Sequence, residues 1–155
     1  MPDLADVHAR LQDLVGTSGR EIHARADRRD FARFAVACGD EDPGDVAPPL
    51  FLTSVIEWGA GPPLSALRED GTGAAHDDFL PLEGLRLMGG GQELALGDDL
   101  VHGTEFTAQP TLEGATLREG RSGPLLLIHV RTEFRATDGR VLLTRRETLL
   151  ARESA

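Results

Sequence analysis

The residues best able to do chemistry sit in one short turn. Gly39-Asp40-Glu41-Asp42-Pro43-Gly44-Asp45 places four carboxylates within six positions. Carboxylates this close raise one another's pKa when buried, which would leave one protonated and able to act as a general acid. In water they form a charged, solvated turn, the plainer reading of the spacing. His76-Asp77-Asp78 offers a second set of donor atoms, but adjacent ligands in a loop with no distant partner make a poor metal site, so no metal is expected. Arg118 and Arg121 flank the Gly120–Gly123 turn, where two guanidinium groups can hold phosphate oxygens; a charged hairpin tip is the alternative. His129 lies on the more polar face of a strand and reads as an interface or buried polar histidine. All sixteen basic residues are Arg, which excludes a lysine Schiff base, a pyridoxal attachment and a P-loop lysine.

Helices and strands must position these groups. Phe31, Phe34, Ala35 and Cys38 recur at i, i+3, i+4 and i+7, which predicts an amphipathic helix ending at Gly39 with Cys38 on its apolar face. Leu4, Val7, Leu11 and Leu14 form a second stripe, capped by Asp3, on a helix over 3–15 that packs as a lid. A first strand is expected in 16–26, a buried segment over Phe51–Trp58, and a long Gly/Pro-rich loop over 59–81. Leu85–Leu96 reads as a strand with a bulge at Gly89–Gly91, and Thr104–Leu117 as a strand whose Pro110 argues for an edge or a bulge. In Pro124–Phe134 one face carries Leu126, Ile128, Val130, Thr132 and Phe134, the other His129, Arg131 and Glu133. Asp138-Gly139 turns this strand into a last one over 140–151. The order is α+β with an antiparallel meander; periodicity alone also fits a lipocalin-like or cystatin-like sheet.

The block from Arg29 to Phe51, then Gly91-Gln92-Glu93, Gly120-Arg121-Ser122-Gly123 and the closing RRETLLAR, resembles in order the MaoC-like acyl dehydratases of the hotdog fold. The resemblance implies a single hotdog domain over 16–152, an antiparallel sheet wrapped around a central helix, preceded by a helical extension over 1–15. Catalytic members of that family carry GD-x-NP-x-H, whose Asp and His act on a shared water. Asp40 matches that Asp, but Asp45 stands at the position of the His and Asp42 at that of the Asn. The connection to Ala47-Pro48-Pro49 is short, and the prolines lack an N–H, so a donor to a thioester carbonyl would come from Leu50 or Phe51. Gly89 also replaces a histidine present in relatives.

The resemblance therefore implies a non-catalytic half that widens the acyl tunnel of a hydratase or dehydratase and pairs with a catalytic hotdog subunit; a homodimer is the other arrangement. Its substrate would be an acyl thioester on coenzyme A or acyl carrier protein, with no further cofactor. Leu50, Phe51, Trp58, Gly90, Gly91, Arg118 and Arg121 are the residues expected to line the site. Asp40 and Asp45 are the candidate catalytic groups. The competing readings are a stand-alone acyl-thioester binding protein and a thioesterase in which Asp40 or Glu57 activates water.

The whole chain bounds these readings. Its 155 residues are enough for one domain with its own core. A formal charge of -10 disfavours nucleic acid. No apolar run reaches 18 residues and the first fifteen lack a signal-peptide core, so neither membrane nor export is expected. The lone Cys38 offers no internal disulfide, and a cytoplasmic location is the default.

Overall fold

A computed structural model describes residues 3–55, 64–67, 76, 78–121 and 123–153. The elements are α1 (Leu4–Asp13), β1 (Ile22–Arg25), α2 (Arg28–Cys38), α3 (Phe51–Val55), a 3-10 turn (Leu64–Ala66), β2 (Leu85–Leu96), β3 (Glu105–Gly120), β4 (Gly123–Ala136) and β5 (Val141–Glu153). One curled antiparallel sheet runs β1-β3-β4-β5-β2, so β2 and β1 are its edges. Two tight hairpins join β3, β4 and β5, while β2 reaches β5 across the whole width of the meander.

Alternation decides which face is core. Leu126, Ile128, Val130, Thr132, Phe134 and Ala136 of β4 are all buried on the inner face, as the period of two requires. At one end this face packs against α1, whose Leu4, Val7 and Leu11 meet Leu112, Leu126 and Ile128. At the other it packs against α2 and α3, where Phe31 stacks edge-on against Phe51 at 4.8 Å beside Phe106 and Phe134. Among the described residues the helix entered at Pro48-Pro49 is the five-residue α3, and Trp58 lies outside them.

Several sequence expectations change. Cys38 is exposed, because the last turn of α2 runs past the sheet and leaves only Phe31 and Ala35 of the predicted stripe fully buried. The first strand is confined to Ile22–Arg25; ahead of it Gly19 sits where a Cβ would lie 2.5 Å from the Phe79 ring, and the Arg20 N–H is taken by the Asp78 carboxylate at 3.0 Å. Pro110 lies in β3, an interior strand, and the β3 bulge falls between Leu112 and Gly114. Its carbonyl accepts from Gly19, so its missing N–H faces the same side, where the β1 ladder has ended at Ile22, and the β4 ladder loses nothing. The glycine bulge of β2 lies between Gly89 and Gly91, as its composition predicts. No described helix is long and apolar enough to cross a membrane.

Candidate functional site

The acidic turn is built onto the end of α2. Asp27 caps the start of that helix by accepting from the Arg29 N–H at 2.8 Å. Gly39 ends it with φ at 83°, which lets the Asp40 N–H reach back to the Ala35 carbonyl at 2.9 Å. The chain beyond is stitched to the β2–β3 connection. His102 N–H donates to the Asp45 carbonyl at 2.8 Å, Ala47 N–H to the Leu100 carbonyl at 2.9 Å, and Val46 bridges to Val101. Asp42 also closes the turn on itself by accepting from the Gly44 N–H at 2.9 Å.

Arg28 is the centre of charge here. Its guanidinium lies 3.5 Å from the Asp42 carboxylate and 3.7 Å from that of Asp45. Its backbone N–H donates to His102 Nδ1 at 3.1 Å, which places the proton of a neutral His102 on Nε2. Asp40, Glu41, Asp42 and Asp45 are all exposed or half-exposed to solvent, and among the described residues no histidine ring is hydrogen-bonded to any of them. The turn thus offers solvated carboxylates, two of them beside a guanidinium, without an imidazole to relay a proton. The pairing of Arg28 with His102 carries no sequence signal, because 74 residues separate the two and only the fold brings them together.

A cavity of about 120 Å³ opens beside this turn, walled by Ala47–Leu52 on one side and Leu96–Leu100 on the other, with Leu142 and Leu143 beneath. Two candidate residues, Leu50 and Phe51, line it. Phe51 commits its N–H to the Pro48 carbonyl at 3.2 Å, which leaves Leu50 as the donor of the two. Leu50 has φ at 67°, a left-handed conformation that costs a non-glycine residue about 1–2 kcal/mol.

A second polar site lies on the inner face between the two apolar clusters. Glu147 and Arg145 of β5, both buried, are joined by His76, whose Nε2 donates to the Glu147 carboxylate. Arg145 Nη2 lies 3.8 Å from Glu147 and 3.4 Å from the Thr132 hydroxyl. His76, expected in a solvated loop, has a side chain only 8% exposed and packs edge-on against Phe79. Arg145 and Glu147 do carry a sequence signal, since they alternate with Leu143, Leu149 and Ala151 and share their face.

The remaining candidates lie elsewhere. Gly90 and Gly91 form the β2 bulge, Gly90 against Thr148 and Leu150. Arg118 and Arg121 stand at the β3–β4 tip, whereas the acidic turn and its cavity lie at the β4–β5 end. From Gly123 to Phe134 is about 36 Å of strand at about 3.3 Å per residue, so one subunit does not bring these arginines to Leu50.

This curled sheet over a short helix, with its turn after α2, defines a hotdog domain. Residues 35–145 match the family model "FAS1-like, dehydratase domain region", and the chain belongs to that family. Among solved structures it is similar to the ChsH1–ChsH2 complex of Mycobacterium tuberculosis, with a TM-score of 0.75 at 14% identity over 99% of this chain and 94% of that one. A MaoC-like dehydratase from Rhodospirillum rubrum gives 0.59 at 17% identity, covering 94% and 97% of the two chains. The C-terminally truncated HadBC 3R-hydroxyacyl-ACP dehydratase complex of M. tuberculosis gives 0.58 at 17%, covering 89% and 97%. No curated protein matches the sequence.

Proposed function

We propose that this chain is the acyl-chain-accommodating half of a hydratase or dehydratase acting on enoyl or 3-hydroxyacyl thioesters, paired with a hotdog subunit that supplies the catalytic Asp and His. The observation that carries this reading is the occupation of the turn. Arg28 lies between Asp42 and Asp45, and Asp45 stands at the position where the resemblance calls for a histidine. A carboxylate there supplies no imidazole to relay a proton, and the Arg28 guanidinium engages it instead.

Pairing is supported by the sheet edge. β2 is a twelve-residue edge strand, largely exposed along its length, and such an edge is ordinarily covered by a partner. Two of the similar structures are of complexes by their descriptions, ChsH1–ChsH2 and HadBC. In the assembled enzyme the apolar wall of Leu50, Phe51 and Leu143 would receive part of the acyl group, and the thioester on coenzyme A or acyl carrier protein would lie toward the partner. Asp40 and Asp45 would then carry no step of the reaction.

The test is co-expression with the genomic neighbours, native mass of each species, and hydration of an enoyl thioester by each. A mixed complex that turns over beside an inactive lone chain supports the reading. An active lone chain that Asp40→Asn silences overturns it, and release of free thiol would make the chain a thioesterase.

A further inference from the structure

The outer face of the sheet sorts its charges by position. Near the β4–β5 end the outward arginines of β4 and β5 each have a carboxylate: Arg131 lies 3.2 Å from Glu113 and 3.3 Å from Glu133, Arg146 lies 3.2 Å from Glu113, and Arg135 pairs with Glu133. At the β3–β4 end the pattern reverses. Register places Arg118 opposite Leu125 and Arg152 opposite Arg86, which aligns three arginines in one row across four strands. Arg121 follows in the turn just beyond Gly120, exposed at the hairpin tip. The nearby acids, Glu119 and Glu153, are each one residue out of phase, so the pleat sends them to the inner face. Among the described residues none of these four arginines has a carboxylate within 4.0 Å, and the buried Arg152 Nε has no hydrogen-bond partner.

Beside this row runs an apolar one. Thr116, Leu127, Leu150 and Met88 are the next outward residues on the same four strands, and Met88 is 38% exposed. We propose that this outer face docks a partner protein through an acidic amphipathic helix laid across the strands, its carboxylates on the arginine row and its apolar side on Leu127, Leu150 and Met88. The geometry favours a helix over a small anion. Neighbouring strands stand about 4.8 Å apart, so Arg118 and Arg86 are about 14 Å apart on an open face, whereas a diphosphate is held by guanidinium groups converging in a pocket. Carboxylates at i, i+7 and i+10 of a helix lie on one side at rises of about 10 and 15 Å, close to the steps of about 10 and 14 Å from Arg118 to Arg152 and to Arg86. On a chain of formal charge -10, four clustered arginines without acids form a local positive field that favours an acidic partner.

The test uses the full chain and an acyl carrier protein, a small acidic helical protein, as the probe; only this choice of probe rests on the thioester reading. Binding is measured by calorimetry at several salt concentrations, for the parent, for Arg86→Glu/Arg118→Glu, and for Arg29→Glu/Arg33→Glu, which makes the same charge change on α2. The expected result is binding that weakens with salt and falls about tenfold in the first pair while the α2 pair retains it. Absence of binding, or equal affinity in all three, overturns the proposal. So does dependence on Arg86 and Arg118 in binding coenzyme A, phosphatidylglycerol vesicles or single-stranded DNA without binding of the protein probe. The readout involves no turnover, so a failure of the hydratase reading leaves this result interpretable. Conversely, if charge reversal leaves carrier-protein binding unchanged while enoyl-CoA hydration by the mixed complex persists, the docking proposal alone is lost.

Discussion

His76 donates its Nε2 proton to the Glu147 carboxylate on the inner face of the sheet, joining the segment ahead of β2 to the middle of β5. Burial acts most strongly on Glu147 and would push its pKa up, but the His76 hydrogen bond and the neighbouring Arg145 charge together hold it below the usual carboxylate range. A carboxyl with a lower pKa folded than unfolded stabilises the fold above its unfolded value, about 4.3, and loses that contribution as pH falls through the folded value. Glu147→Gln is therefore expected to cost about 1.5–3 kcal/mol at neutral pH, because it replaces the ionised acceptor of the His76 hydrogen bond with a neutral amide. Urea unfolding across pH should show this difference shrinking below about pH 4.3. A difference that stays constant with pH would exclude the ionised pair.

The same pair predicts a coupling. His76→Phe removes the donor while keeping an aromatic ring against Phe79. In a double-mutant cycle with Glu147→Gln, the interaction should come to about 1–3 kcal/mol, since both groups are buried and in contact. Thr132→Val should cost under about 1 kcal/mol, because its contact with Arg145 is long at 3.4 Å. Additivity of the His76 and Glu147 variants would mean that they stabilise separately.

Much of this architecture is legible in the residues. The alternation of Leu126 through Phe134 and the Asp138-Gly139 turn mark the last two strands almost to their ends, because a long strand with one buried face repeats its signal many times. The exposure of Cys38 is not legible, because a helical stripe specifies a face and not how far the covering sheet extends. The burial of His76 is hidden for a related reason. Its sequence neighbours Ala74, Ala75, Asp77 and Asp78 have the composition of a loop, and only β5, 71 residues later, supplies the carboxylate that draws it inside. Of the candidate site, Asp40, Asp45, Leu50 and Phe51 fall at one end of the sheet, whereas Arg118 and Arg121 fall at the other, a separation that no motif spacing encodes.

Leu50 lines the cavity beside α3 in a left-handed conformation, and it is 48% exposed. Removing its Cβ relieves the backbone at little loss of buried area. Leu50→Gly is expected to raise stability by about 0.5–1 kcal/mol, visible as a higher Tm, whereas Leu50→Val, β-branched at positive φ, should lower it. Equal Tm values for both variants would show that the strain is released elsewhere.

Within the assembled complex, Asp40→Asn and Asp45→Asn are expected to leave kcat unchanged, since both side chains face solvent and Asp45 stands beside Arg28. Steady-state hydration kinetics of the two variants with the unaltered partner would check this. A loss of kcat with KM preserved in either variant would assign the reaction to this chain.

The wall of the cavity opposite Leu50 depends on one glycine. A Cβ on Gly97 would lie 2.0 Å from the Val141 carbonyl oxygen, and that oxygen is part of the backbone that accepts from Asp98 N–H at 2.9 Å. Neither group can turn aside as a flexible side chain would. Gly97→Ala must therefore push the end of β2 away from β5, opening the Leu96–Leu100 segment, at a cost of about 2–4 kcal/mol. Gly89 lies in β2 itself, and a methyl group added there would have nothing within 4 Å, so Gly89→Ala should change stability by less than about 1 kcal/mol. Gly90→Ala falls between them, because its methyl would meet the Thr148 carbonyl at 2.9 Å but the bulge there has an unpaired residue to give way. Thermal unfolding of the three variants should rank Gly89 above Gly90 above Gly97. The reverse order would mean that the β2 bulge, and not the β2–β5 junction at the cavity, is the tighter backbone contact.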